Sequence, residues 1–182
     1  DTEVISVFIY SKLSKKILEK LPKLKLIVTR STGFDHIDLH ECKKRKIKVM
    51  NIPSYGENTV AEHTFALILS LSRNIHKAYE RTVRGDFSID GLTGFDLHGK
   101  TLGIIGLGRI GRHVARIARG FNLNVVVFDV NRDAKLARRL GFKYATLDFL
   151  LKNSDIVTLH IPLNRGTRHL MGSRNISKMV TG

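Results

Sequence analysis

An α/β fold is what this sequence predicts, on three observations. Short β-branched apolar runs alternate with amphipathic stretches along the chain. Hydrophobic residues make up 42% of the composition against only 3 prolines, a globular balance. A glycine-rich turn, Gly106-Leu107-Gly108-Arg109-Ile110-Gly111, sits between an apolar run and a helical one.

In chain order, Val4 to Tyr10 is β-rich, and Ser14 to Leu21 is amphipathic, with Ser14 as its expected N-cap and Pro22 as its stop. Leu24 to Thr29 reads as a buried strand, Ser31-Thr32-Gly33 as a turn, Ile37 to Lys46 as a short helix and Ile47 to Asn51 as a third strand closed by Pro53. From Thr59 the period changes. Val60, Ala61, Thr64, Phe65, Leu67, Ile68, Leu71 and Ile75 recur at helical spacing, predicting one long helix to about Arg84, ended by Gly85. Asp86 to His98 is an irregular connection and the expected domain boundary. A second series follows: strand Thr101–Ile105, helix Arg109–Arg119, strand Leu123–Phe128, helix Asp133–Leu140, strand Phe142–Ala145, helix Leu147–Lys152 and strand Asp155–His160, with Pro162 turning the chain out.

Composition narrows the function. No apolar run approaches the ~18–20 residues of a membrane span. The single Cys42 excludes a disulfide framework and fits a reducing, cytoplasmic setting. No histidine falls into a metal-ligand spacing, so no metal is expected. The net charge of +15 admits an anionic partner. The run Lys43-Lys44-Arg45-Lys46 reads as a solvated helix end, where cations suit the dipole.

The glycine-rich turn carries the sharpest chemical signal. A G-x-G-x-x-G match alone is weak, but here it follows a strand, opens a helix, and is succeeded by a strand ending in Asp129, 18 residues beyond Gly111. Gly106 permits the tight turn, Gly108 lets backbone approach a pyrophosphate, and Gly111 lets the helix pack close to the strand. The helix N-terminus offers N–H groups and a positive dipole end to phosphate. Asp129 is placed to accept hydrogen bonds from both adenosine ribose hydroxyls, which favours NAD over NADP; Arg132 softens that preference.

At this point a family resemblance appears. Arg30-Ser31-Thr32-Gly33-Phe34-Asp35-His36-Ile37-Asp38 resembles the substrate-domain signature of D-isomer-specific 2-hydroxyacid dehydrogenases. Asn58-Thr59-Val60-Ala61-Glu62-His63 resembles the start of their interdomain helix, and Gly99 to Gly111 their dinucleotide signature. Ser154-Asp155-Ile156-Val157-Thr158-Leu159-His160-Ile161-Pro162-Leu163 resembles their next cofactor-facing strand. The blocks run in the family's order, nearest its D-lactate dehydrogenase branch. The resemblance implies part of a flavodoxin-like substrate domain over 1–57, a long helix and connection over 58–96 that supports a homodimer, and the first half of a Rossmann NAD-binding domain over 97–182. It places Arg109 and Ile110 against the pyrophosphate, Asp129 on the ribose, His160, Ile161 and Pro162 beside the adenosine half, and Thr167 and Val60 toward the nicotinamide. Thr32 and Gly33 would present N–H groups to the carboxylate of a small 2-hydroxy or 2-keto acid, with Tyr10 beside them.

The family's arginine, glutamate and histidine, which bind the substrate and move its proton, are expected beyond residue 182. The chain is therefore expected to be a fragment without turnover of its own. Two other readings stand beside this one: an inactive remnant, and an NAD-sensing, nucleic-acid-associated module. The second rests on a basic stripe of Arg112, Arg116 and Arg119, for which a solvated face is the preferred reading.

Overall fold

A computed structural model describes residues 1–181. The chain divides into two units, one formed by Asp1–Tyr55 with Pro162–Gly166, the other by Gly56–Ile161 with the residues from Thr167 onward.

The first unit carries a three-stranded parallel sheet, in the order β1 (Val4–Val7), β2 (Leu26–Thr29), β3 (Lys48–Met50), with helices α1 (Lys15–Glu19) and α2 (Leu39–Lys44). Its core is Val7, Leu13, Leu18, Leu24, Ile27, Ile37, Cys42 and Ile47. β1 is shorter than the apolar run that encodes it, because the chain turns at Phe8, whose carbonyl accepts from the Ser11 N–H at 2.8 Å. Ser14 stands at the N-cap of α1 but makes no side-chain cap there. The Asp38 carboxylate does cap α2, accepting from the Glu41 N–H at 3.0 Å.

The second unit opens with helices where one helix was expected. α3 (Glu57–Ser72) and α4 (Ile75–Val83) are separated at Asn74, which adopts a left-handed conformation with φ 51 and ψ 34. Its side-chain amide donates to the carbonyls of Leu92 (3.3 Å) and Thr93 (3.1 Å), so the irregular connection downstream holds the break open. Phe95 N–H donates to the Ser72 carbonyl at 2.9 Å and seals the end of α3.

The sheet of this unit is parallel throughout, in the order β6 (Lys143–Tyr144), β5 (Asn124–Phe128), β4 (Thr101–Ile105), β7 (Ile156–Leu159). β4 lies inside it, buried on both faces, which is why its sequence reads as a continuous apolar run. Leu102 and Ile104 join Val114, Ala115 and Ala118 of α5 (Arg109–Gly120) and Ala61 and Phe65 of α3 in the main core, where Phe65 stacks on Phe121 at 5.4 Å. Ile105 turns the other way, against Leu150 and Leu151 of α7 (Leu147–Asn153). The remaining helices are α6 (Ala134–Leu140), capped by Asp133, and α8 (Ser173–Ile176), which the sequence pattern did not anticipate. The order steps outward from β4 through β5 to β6 on one side and to β7 on the other. The C-terminal ends of β4 and β7 therefore flank a topological switch point, where open α/β sheets bind ligands.

Candidate dinucleotide site

At the switch point the glycine turn is fixed from both sides. Gly106 N–H donates to the Phe128 carbonyl at 2.9 Å, and His160 N–H donates to the Ile105 carbonyl at 2.8 Å, prolonging both ladders into the turn. Gly106 has φ +93, and a Cβ there would stand 2.6 Å from the His160 carbonyl oxygen and 2.6 Å from Ile161 Cγ2. A Cβ on Gly111 would collide with the Gly106 carbonyl oxygen and lie 3.2 Å from its carbon. Gly108 differs: a Cβ there meets nothing within 4 Å, and the residue is exposed at the N-cap of α5. The two outer glycines are thus demanded by packing, while the middle one faces open space in front of the helix N-terminus.

Asp129 closes β5 beside this turn. Its Oδ2 accepts from the Leu107 N–H at 2.6 Å and its Oδ1 from the Asn131 N–H at 2.7 Å. An ionised carboxylate has about four lone-pair positions, so two bonds leave it capacity for two more donors. In front of it lies a pocket of about 230 Å³ whose lining includes Gly108, Arg112, Asp129, Asn131, Arg132 and Tyr144. Sequence reasoning missed Arg112 and Tyr144 as pocket residues. Tyr144 arrives from β6, where its hydroxyl accepts from the Asp133 N–H at 3.1 Å and its ring lies under the Arg132 guanidinium at 5.9 Å. Such long-range placement leaves no local pattern. Arg112, one helical turn after Gly108, was legible as a helix-face residue only.

Arg109 is exposed and its guanidinium pairs with Glu57 of α3 at 3.4 Å, which sets the first turn of α3, carrying Val60, near the N-terminus of α5. Val60 is itself exposed. Ile110 is half-buried and packs on the main core as well as standing in the motif. His160 ends β7 with its Nε2 3.0 Å from Thr158 Oγ1, and burial pushes its imidazolium below the ordinary value, so the ring is neutral at pH 7. Ile161 packs with Ile105 and Leu150. Thr167 is half-buried, its carbonyl accepting from the Leu170 N–H at 3.1 Å, while Pro162 belongs to the segment that groups with the first unit.

Tyr10, Thr32 and Gly33 all lie in the first unit. Tyr10 is 88% exposed. The Thr32 hydroxyl donates to the Ile52 carbonyl at 3.0 Å and its own carbonyl accepts from Asn51 Nδ2 at 2.8 Å. Beneath it runs a buried relay. Ser31 Oγ donates to the Gly33 carbonyl at 2.7 Å, so the 2.7 Å contact between Thr29 and Ser31 has Thr29 as donor. Thr29 in turn accepts from His36 Nε2 at 3.2 Å, which fixes the proton of that ring on Nε2.

Residues 65–182 match the model of the D-isomer specific 2-hydroxyacid dehydrogenase, NAD binding domain. The chain is 38% identical to the D-lactate dehydrogenase of Escherichia coli (strain K12) over 182 residues, and 39% identical to a 2-hydroxyacid dehydrogenase homolog of Haemophilus influenzae. Each alignment covers 99% of this chain and 55% of the relative, so the chain spans about half the length of the curated relatives it matches. Among solved structures, the D-lactate dehydrogenase from Aquifex aeolicus complexed with NAD and lactic acid aligns with a TM-score of 0.94 at 45% identity, covering 99% of this chain and 54% of that one. The apo-structure of the Escherichia coli enzyme aligns at 0.84. With the glycine turn, the acid that closes β5 beside it and this match over most of its length, the chain belongs to the D-isomer specific 2-hydroxyacid dehydrogenase family.

Proposed function

We propose that this chain is the cofactor- and substrate-holding front portion of an NAD-dependent dehydrogenase that interconverts a small D-2-hydroxy acid, lactate-like in size, and its 2-keto acid. The observation that carries the reading is the open space at Gly108 beside the half-used carboxylate of Asp129, within a fold whose other two motif glycines are already accounted for by packing. In this reading residues 1–57 are part of the substrate domain, 58–96 the interdomain helices and connection, and 97–182 part of the NAD-binding domain.

When bound, NAD supplies the nicotinamide ring that exchanges a hydride with the substrate carbon. The chain's own residues hold and orient. The N–H groups at the start of α5, with the positive end of its dipole, receive the pyrophosphate at Gly108, Arg109 and Ile110. Asp129 accepts from the two ribose hydroxyls and repels a 2′-phosphate, while Arg112 and Arg132 on the same pocket moderate that repulsion. His160, Ile161 and Pro162 border the adenosine half, and Val60 and Thr167 the nicotinamide half. In the first unit, Thr32 and Gly33 donate N–H bonds to the substrate carboxylate beside Tyr10, and the relay from His36 through Thr29 and Ser31 to the Gly33 carbonyl holds that loop. No residue of this chain is assigned the proton transfer.

A homodimer is part of the proposal. Leu71, Ile75, Tyr79, Val83, Phe87 and Ile89 form an apolar series along the end of α3, α4 and the following connection, with exposures from 51% to 80%. Apolar groups of this number on one segment mark an interaction surface. A cytoplasmic setting fits the buried, reduced Cys42, and no helix among the described residues is long and apolar enough to cross a membrane.

Titration of NADH fluorescence against the 182-residue chain tests the reading. Saturable binding is expected, weakened about tenfold or more by Gly108→Ala, whose methyl enters the pyrophosphate approach. Binding that is indifferent to Gly108→Ala and to Asp129→Ala would refute it.

A further inference from the structure

A second hollow lies between α5 and α6, next to the ribose pocket but distinct from it. It has a volume of about 350 Å³, a floor of Leu136 and Leu140, and walls made by Arg112 and Arg116 of α5 and Arg139 of α6. Arg112 alone is shared as a cation with the ribose pocket.

The charges here lack direct ion-pair partners. Among the described residues, none of the three guanidinium groups forms an ion pair, and only Arg112 makes a side-chain hydrogen bond, to the Leu107 carbonyl at 3.3 Å. Arg112 and Arg116 stand four residues apart on one helix face, where like charges destabilise a helix. Asp133 feels both Arg112 and Arg139, but its Oδ1 is already engaged by the N–H groups of Lys135 and Leu136 at the start of α6. Arg119, the next member of the stripe legible in the sequence, is outside the lining: its Nη1 donates to the Arg139 carbonyl at 3.2 Å. The stripe is therefore split, and its first two arginines face a third across a concave, ligand-sized space.

We propose that this hollow binds a phosphate group, as inorganic phosphate or as the phosphomonoester of a small metabolite. Three guanidinium forks present more N–H donors than a single carboxylate can accept, whereas a phosphate dianion offers three terminal oxygens to paired donors. The apolar floor of Leu136 and Leu140 suits the carbon skeleton of an ester. A concavity of this size takes a small molecule, whereas a nucleic-acid backbone needs an extended run of cations. Arg116 and Arg139 line this hollow and not the pocket in front of Asp129, so phosphate binding here and cofactor binding there can fail separately.

The test uses the 182-residue chain at constant ionic strength set with sodium chloride. Inorganic phosphate, methyl phosphate and citrate are titrated in turn while the arginine Nε–H resonances are followed. The expected result is saturable movement of the Arg116 and Arg139 signals with either phosphate, at least about tenfold weaker in Arg116→Gln/Arg139→Gln, a change of about 1.4 kcal/mol. Arg139→Lys, which keeps the charge and loses the fork, should bind at intermediate strength. Neither residue lines the ribose pocket, so NADH titration and the circular dichroism spectrum should be unchanged in these variants. Tighter binding of methyl phosphate than of inorganic phosphate points to the ester as source, and the reverse to the free ion. Linear movement that persists in the double variant would mean charge screening only and overturn the proposal. So would citrate saturating well below either phosphate, or a double-stranded oligonucleotide shifting the same resonances at concentrations where phosphate does not.

Discussion

Gly106→Ala is the sharpest perturbation the structure offers, because its cost is set by two independent terms. The residue sits at φ +93, where an L side chain is strained by about 1–3 kcal/mol. The new methyl would also stand 2.6 Å from the His160 carbonyl oxygen and from Ile161 Cγ2. Carbon atoms pack at about 3.5–4.0 Å, so the end of β7 would have to move by about 1 Å. Forced overpacking of this kind costs about 1–3 kcal/mol. A combined loss of about 3 kcal/mol is therefore expected, a conservative reading of the two terms, and corresponds to roughly a hundredfold gain in opening. Hydrogen exchange at the backbone amides of β4 reads this directly, since β4 is an interior strand, paired on both sides, and reports the opening of the second unit alone. Gly108→Ala, two residues away with nothing within 4 Å of its methyl, should leave that exchange within a few-fold of the parent. Equal protection in the two variants would refute the argument that Gly106 is held by β7.

The pH dependence of the second unit should carry the signature of His160. Its pKa is depressed by burial below the ordinary 6.5, so the unfolded chain takes up the proton first. The stabilisation is complete above pH 6.5 and is lost as pH falls from there through the folded value; His160→Gln should flatten urea midpoints over that range, and an unchanged slope would count against it. At the helix break, Asn74→Ala should destabilise by roughly 1–2 kcal/mol more than Asn74→Gly, because alanine takes up the left-handed strain that glycine avoids while both lose the bonds to Leu92 and Thr93. Paired thermal melts check the ordering, and an equal loss in both would show that φ at Asn74 is unstrained.

The parts of the fold that could be read from sequence are those encoded locally. β4 and α5 announce themselves through a buried apolar run, three glycines and a 3.6-residue period, and Asp129 is found by counting to the end of the next strand. The break between α3 and α4 could not be found that way. The apolar period runs on through Ile75, no proline or glycine interrupts it, and the groups that stabilise the break lie 18 and 19 residues downstream. The same holds for the pocket, where Tyr144 is delivered by sheet pairing and faces Arg112 of α5. Ile110 illustrates a subtler limit: a motif position carries a ligand-facing expectation, yet its side chain also serves the core. The arginine stripe was visible, but only the bond from Arg119 to the Arg139 carbonyl shows that its third member is engaged by backbone and does not line the hollow.

The unequal duties of the three motif glycines bear on how such a chain would decay. Were selection for a nucleotide to lapse, Gly106 and Gly111 would still be kept, since the crossing of β7 and the seat of α5 forbid a side chain at either place. Gly108 would be released, and drift to alanine or serine there would go unpunished by the fold. Of the letters in this signature, the middle glycine is the one that records whether a nucleotide is still being held.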